Sequence, residues 1–203
     1  MAHKANTISA WQSLKKHFND ANESAFLTMK SHIIIALLLA SISISFADIP
    51  KAGDSAPSFE GIDQNGKTIS LTGLLSHQKI VLLYFYPKDF TGGCTKEACG
   101  FRDRVADLQT NDVVVIGVSH DTADSHVKFA EKYNLNFSLL PDADGTIIKA
   151  YGVKMFALSL AKRVSFLIGK DGKIVHVTEA ASPQTHFAEM QEAIVGLKNA
   201  AGK

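Results

Sequence analysis

The run Lys79–Pro87 (KIVLLYFYP) constrains the fold more than any other stretch of the chain. From Ile80 to Tyr86 it carries no charge and no polar alternation, and its β-branched and aromatic side chains suit a central strand covered on both faces. Pro87 ends the run, because it has no N–H to give to a strand ladder. Asp112–Ser119 (DVVVIGVS) is a second run of the same kind. Strands buried on both faces need helices above and below them, which predicts a three-layer α/β domain.

The rest of the chain supplies those helices. Helical patterns are expected over 95–109, over 123–133 with Asp121 or Thr122 as cap, over 146–151, and over 185–198 after Pro183. Residues 162–179 (KRVSFLIGKDGKIVHVTE) read as two strands joined at Lys170, Asp171 and Gly172, a hairpin signal. Strand, helix, strand, helix, hairpin, helix is the order of a thioredoxin-like α/β fold, a central mixed sheet flanked by helices.

Ahead of this domain, Ile33–Ala47 runs without a charge, which is short for a membrane span and suits the apolar region of a secretory signal. Residues 29–47 are therefore expected to be a signal peptide cut before Asp48, and residues 48–203 one domain. Residues 1–28, with Asp20 and Glu23, form an unusually polar leader, so Met29 is the expected start and 1–28 an upstream extension. A short helix with Trp11, Leu14 and Phe18 on one face is the alternative. An exported product would be periplasmic, without stable membrane association after cleavage; an unused signal would leave it cytoplasmic. The net charge of +1 gives no basic excess for nucleic acid.

Cys94 and Cys99, the chain's two cysteines, stand directly behind the first strand in YFYPKDFTGGCTKEACGFRD. A strand, a loop and a helix starting near Cys94 put that thiol at a helix N-terminus, where free N–H groups and the dipole favour the thiolate. Cys94 is thus a candidate nucleophile. Gly92 and Gly93 allow close approach of a small molecule, and the Thr91 hydroxyl stands three residues before the sulfur. On an intact helix Cys99 would lie roughly 140° around and about 7.5 Å along from Cys94, too far and wrongly turned for a disulfide. A bond between them would require the first turns to unwind. Thioredoxin-type exchange wants two intervening residues rather than four, a zinc site wants clustered ligands, and a static bridge meets the same geometric objection. Glu97 is expected to be a solvated first-turn acid, with contact to the loop or an arginine as the alternative, His126 a helix-face residue, and Tyr84, Phe85 and Tyr86 core packing.

This segment resembles the active-site segment of the peroxiredoxins, specifically the peroxiredoxin Q or bacterioferritin comigratory protein branch. The likeness extends over nearly all of residues 51–200, including GDSAPSFEGIDQNGK, VIGVSHDTADSHVKFAEKYNLNFSLLPDADG and KRVSFLIGKDGKI. Phe90 and Gly92 depart from it, standing where relatives often have polar and proline residues. The resemblance implies a thiol peroxidase that reduces hydrogen peroxide and organic hydroperoxides without metal or organic cofactor. It implies that Cys94 is the peroxidatic cysteine, Thr91 the hydroxyl that orients the peroxide and Pro87 the residue shielding the pocket. It further implies that Cys99 is the resolving cysteine, forming a redox-active disulfide with Cys94, and that Arg163 steadies the thiolate. A permanently charged guanidinium beside a thiolate has that effect on physical grounds as well. The expected partners are a hydroperoxide substrate and a thioredoxin-like or other dithiol reductant, and the expected state is a monomer or weak dimer. The alternative is an exported thioredoxin-fold binding or scaffold module with an inert bridge.

Overall fold

The computed structural model describes residues 48–110, 112–155, 160–179 and 182–201, with side chains of the last helix as far as Leu197. The expected extension 1–28 and signal 29–47 lie outside the described residues.

The described chain opens with a small antiparallel pair, β1 (Glu60–Ile62) and β2 (Thr68–Ser70). Its turn is held by Asp63, whose Oδ1 accepts from the backbone N–H groups of Asn65 and Lys67, both at 2.9 Å. Ser70 then caps α1 (Leu71–Ser76), its Oγ accepting from Gly73 N at 3.1 Å. β3 (Ile80–Phe85) follows, then α2 (Gly92–Arg102), α3 (Val105–Gln109), β4 (Val113–Ser119), α4 (Ala123–Tyr133), β5 (Ser138–Pro141) and α5 (Thr146–Ala150). The hairpin β6 (Val164–Ile168) and β7 (Ile174–Thr178) precedes the final helix α6 (Pro183–Ala201).

β3 is the middle of a mixed sheet ordered β5-β4-β3-β6-β7. It pairs parallel with β4 and antiparallel with β6, so its backbone is hydrogen-bonded on both edges. The period of two sends Val81, Leu83 and Phe85 to one face, against Phe166, Tyr151 and Ile148. Leu82 and Tyr84 go to the other, against Cys94, Ala98, Phe101 and Met190. Helices cover both faces, as the double burial of the central runs requires. Gly117 on β4 is obligatory for this packing, since a Cβ there would lie 2.8 Å from the Tyr84 ring and 2.7 Å from Leu139 Cδ2.

Several boundaries differ from expectation: the last helix, expected over 185–198, runs Pro183–Ala201, and the one expected over 146–151 ends at Ala150. The predicted helix 95–109 is two helices: α2 begins earlier, at Gly92, and ends at Arg102, before α3 resumes at Val105. The backbone leaves the helix at Arg104, with φ −119° and ψ 0°, next to the exposed pairing of Arg102 Nε with Asp103 Oδ1 at 2.8 Å. Of the two caps expected for α4, Thr122 serves, its Oγ1 accepting from Ser125 N at 3.3 Å.

Candidate active site

β3 delivers the chain to the site. Beyond Phe85 come Tyr86, half-buried Pro87 and a short loop, then α2. The loop is pinned from below by Asp89, which is buried and collects three side-chain donors. Its Oδ1 accepts from Tyr86 OH at 2.8 Å, and its Oδ2 from Ser125 Oγ at 2.7 Å and faces His126 Nδ1 at 2.9 Å. Asp89 N donates to Asp121 Oδ2 at 2.9 Å. His126, expected as a plain helix-face residue, is fully buried in this network. The pinning fixes a strained turn, for Phe90 adopts φ +62°.

Thr91 follows as N-cap of α2, extended at φ −77°, ψ 147°, and its exposed hydroxyl donates to Lys88 O at 3.0 Å. Its carbonyl accepts the first helical bond, from Thr95 N at 2.9 Å. Cys94 is therefore the third residue of the helix, inside the turn where N–H groups lack helical partners. Its side chain is buried, 2% exposed.

Arg163 reaches this thiol from the residue before β6. Ser165 stands opposite Tyr84 in the β3–β6 register, and Arg163, two residues earlier, shares its face of the sheet. Arg163 Nη2 donates to Cys94 Sγ at 3.3 Å. Gly93 makes room: a Cβ there would stand 3.3 Å from Arg163 Nη2. The other arm of the fork, Nη1, donates to Glu97 Oε2. Glu97 is thus not the solvated first-turn acid expected from sequence. It lies one turn beyond Cys94 on the same helix face, and its side chain is fully buried. Burial pushes its carboxyl up, the attraction of Arg163 offsets part of that, and the result is about 7. Arg163 is held above its ordinary value: burial works against its charge, but Glu97 and Cys94 outweigh it.

A further group was not singled out in the sequence. His186, on α6, is fully buried, with Nδ1 3.4 Å from Glu97 Oε1. Burial and the charge of Arg163 push the imidazole down to about 4, so it is neutral near pH 7. A usable signal did exist, since His186, Met190 and Ile194 recur at helical spacing on the face that α6 buries.

Cys99, half-buried, is on the same unbroken helix, and both cysteines are free thiols. The site brings Cys94, Arg163, Glu97 and His186 together, with Thr91 at the cap; Cys99 is separated from Cys94 by an intact helical turn, and Pro87 stands at the strand end of the loop. Tyr84, Phe85 and Tyr86 are all core residues, as expected, but Phe85 points away from the site, to the opposite face of the sheet. Among the described residues no group of three or more His, Cys, Asp or Glu side chains is placed to hold a metal ion.

Comparison with known proteins identifies relatives of the chain. The putative peroxiredoxin bcp of Coxiella burnetii is 42% identical over 146 residues, covering 69% of this chain and 95% of the relative. Peroxiredoxin Bcp of Escherichia coli K12 is 42% identical over 142 residues, covering 67% and 90%. The crystal structure of peroxidoxin BcpB from Mycobacterium tuberculosis superposes with TM-score 0.66 at 37% identity, over 73% of this chain and 97% of that one. The expected thioredoxin-like α/β fold is borne out by that neighbour. Residues 52–177 match the AhpC/TSA family, AhpC-TSA, and on a match spanning more than half its length the chain belongs to that family.

Proposed function

We infer that the chain is a thiol-dependent peroxidase, reducing hydrogen peroxide and organic hydroperoxides through Cys94. The observation that carries this reading is the buried Cys94 sulfur in the first turn of α2, accepting a hydrogen bond from Arg163 at 3.3 Å. Both features favour a thiolate, the form that attacks peroxide. The sulfur attacks the terminal oxygen, the O–O bond breaks, Cys94 becomes a sulfenic acid, and the departing oxygen takes a proton to leave as water or alcohol. Arg163 stabilises negative charge as it develops on that oxygen. Thr91 donates its own hydroxyl proton to Lys88 O and keeps lone pairs free to accept the proton of a bound hydroperoxide. Pro87 shields the loop side of the pocket.

Resolution follows from the helix. Cys99 attacks the Cys94 sulfenic acid, releasing water and forming the disulfide, once the first turns of α2 have unwound. A thioredoxin-like or other dithiol protein then reduces the bond. Peroxide added to the reduced protein should consume both thiols rapidly, one equivalent per chain. Thiol loss at the rate of free cysteine would overturn the reading.

Export remains part of this proposal, resting on the uncharged run Ile33–Ala47. N-terminal sequencing of a periplasmic extract should find a start at or near Asp48, and a full-length chain in the cytosol would remove the idea. A monomer or weak dimer is the proposed state.

A further inference from the structure

The proton that Cys94 must lose has a receptacle in the structure. Glu97 Oε1 and both ring nitrogens of His186 are buried, and none has a hydrogen-bond partner among the described residues. Glu97 Oε1 and His186 Nδ1 nevertheless stand 3.4 Å apart, and with the ring proton of the neutral imidazole on Nε2 they are two acceptors facing each other. Buried polar atoms of native proteins are seldom left in that condition. One added proton satisfies both.

The charge count around Arg163 points the same way. With Cys94 a thiol, Glu97 is the single anion against the single cation. Ionising Cys94 with Glu97 still charged would place two buried anions on one guanidinium fork, whose arms reach Cys94 Sγ and Glu97 Oε2. We propose that Glu97 and His186 form a proton-holding pair: the proton lost by Cys94 comes to rest on the Glu97 carboxylate and is shared with His186 Nδ1. The S–H bond breaks, an O–H bond forms, and the negative charge passes from carboxylate to sulfur, so the pocket holds one anion throughout. When Cys94 attacks peroxide and becomes a neutral sulfenic acid, Glu97 is again the counter-ion of Arg163. The proton it gives up balances the one taken by the departing oxygen.

Both titrations suit these roles. The Glu97 carboxyl, at about 7, exchanges a proton near neutral pH, whereas His186, at about 4, stays neutral, and its Nε2–H tautomer leaves Nδ1 as an acceptor. The groups facing the pair are Cys94 on its own helix, Arg163 ahead of β6 and the unpartnered Tyr84 hydroxyl of β3, while half-buried His176 on β7 stands opposite Leu167, on the same face of the sheet. Burial holds the Tyr84 phenol well above its ordinary range, so it does not compete for the proton. His186 acts through Glu97 and is a positioning residue.

The inference rests on Cys94 being the peroxide-attacking thiolate, and the test separates the two ideas. The pH midpoint of thiolate ultraviolet absorbance should fall in Glu97→Gln, which is permanently neutral, and rise in His186→Leu by about one unit. His186→Gln, whose amide oxygen can accept from Glu97, should recover part of that rise. In the Glu97→Gln background His186→Leu should move the midpoint no further, whereas a merely structural histidine would move it equally in both. Infrared difference spectra of the wild-type protein, recorded on adding hydrogen peroxide near pH 7, should lose a protonated-carboxyl band that Glu97→Gln lacks. That spectrum decides the matter even if His186→Leu fails to fold. An unmoved midpoint in folded His186→Leu, or no carboxyl band lost from a wild-type protein that consumes peroxide rapidly, overturns the proton-holding pair alone. A wild-type protein that consumes peroxide no faster than free cysteine overturns the peroxidase reading beneath it.

Discussion

The Arg163 guanidinium holds two acidic groups at once, Cys94 with one arm and Glu97 with the other, and what each substitution does follows from that. Arg163→Ala should slow the peroxide step by on the order of 100-fold, the usual loss when one preorganised donor to a developing oxyanion is removed. It should also leave Glu97 buried beside no cation, so the carboxyl will stay protonated to higher pH. Arg163→Lys keeps a charge but loses the planar fork, and should recover only part of the rate because one ammonium cannot serve both partners with the same geometry. Stopped-flow peroxide consumption measures both; wild-type rates in a folded Arg163→Ala protein would mean a different donor acts on Cys94. Much of this residue set was legible in the sequence. Cys94 was visible from its place after a buried strand, and Arg163 from the family likeness. Glu97 was misread because a first-turn acid normally faces water, and only the long reach of Arg163 from another strand gives it a buried partner. His186 is far away in sequence, and its spacing with Met190 and Ile194 marks a buried helix face without tying that face to the site.

Two elements carry the chemistry, α2 and the loop before it. In α2 the disulfide and the helix are mutually exclusive, since Cys94 and Cys99 sit on one continuous run of helix. Oxidation should therefore strip amide hydrogen-exchange protection from the first turns of α2, beginning with the Thr95 N–H bonded to Thr91 O at 2.9 Å, while β3 and β4 keep theirs. Undiminished protection in a protein shown to contain the disulfide would contradict the unwinding step. The loop depends on Asp89. Asp89→Ala abandons Tyr86 OH, Ser125 Oγ and His126 Nδ1 in a buried site and should cost on the order of 3 kcal/mol in urea unfolding. The same change should slow peroxide consumption, because Thr91 and Cys94 are placed by that loop. Element by element, the long buried strands β3 and β4, the β6–β7 hairpin and the cap of α4 were readable from composition and turn residues. The pair β1–β2, only three residues a strand, was not, and neither was β5, four residues long. Such short strands are defined by their neighbours rather than by a pattern of their own.

At the scale of the whole molecule, Glu97 and His186 pull stability in opposite directions with pH. The Glu97 carboxyl is raised from 4.5 to about 7 on folding, so its stabilising contribution is complete below about 4.5 and lost as pH rises through about 7. His186 is lowered from 6.5 to about 4, so its contribution is complete above about 6.5 and lost as pH falls through about 4. Between those limits the two slopes nearly cancel in the wild-type protein. Glu97→Gln removes one of them, and stability should then climb by on the order of 3 kcal/mol from pH 4 to pH 6.5. Urea midpoints across that range would show it, and a flat profile in Glu97→Gln would mean that His186 is not held neutral in the fold.

The central claim gives the two cysteines different tasks although the loss of either abolishes the bridge. Rapid single-turnover kinetics with mass spectrometry on Cys94→Ser and Cys99→Ser tests it most directly. Cys94→Ser should consume no peroxide, since a serine hydroxyl without an adjacent base is too weak a nucleophile. Cys99→Ser should consume one peroxide per chain at near wild-type speed and stop as a Cys94 sulfenic acid that passes to sulfinic acid under excess peroxide. Fast peroxide consumption in Cys94→Ser, with none in Cys99→Ser, would reverse the assignment, and reaction of both at the rate of free cysteine would contradict the account altogether.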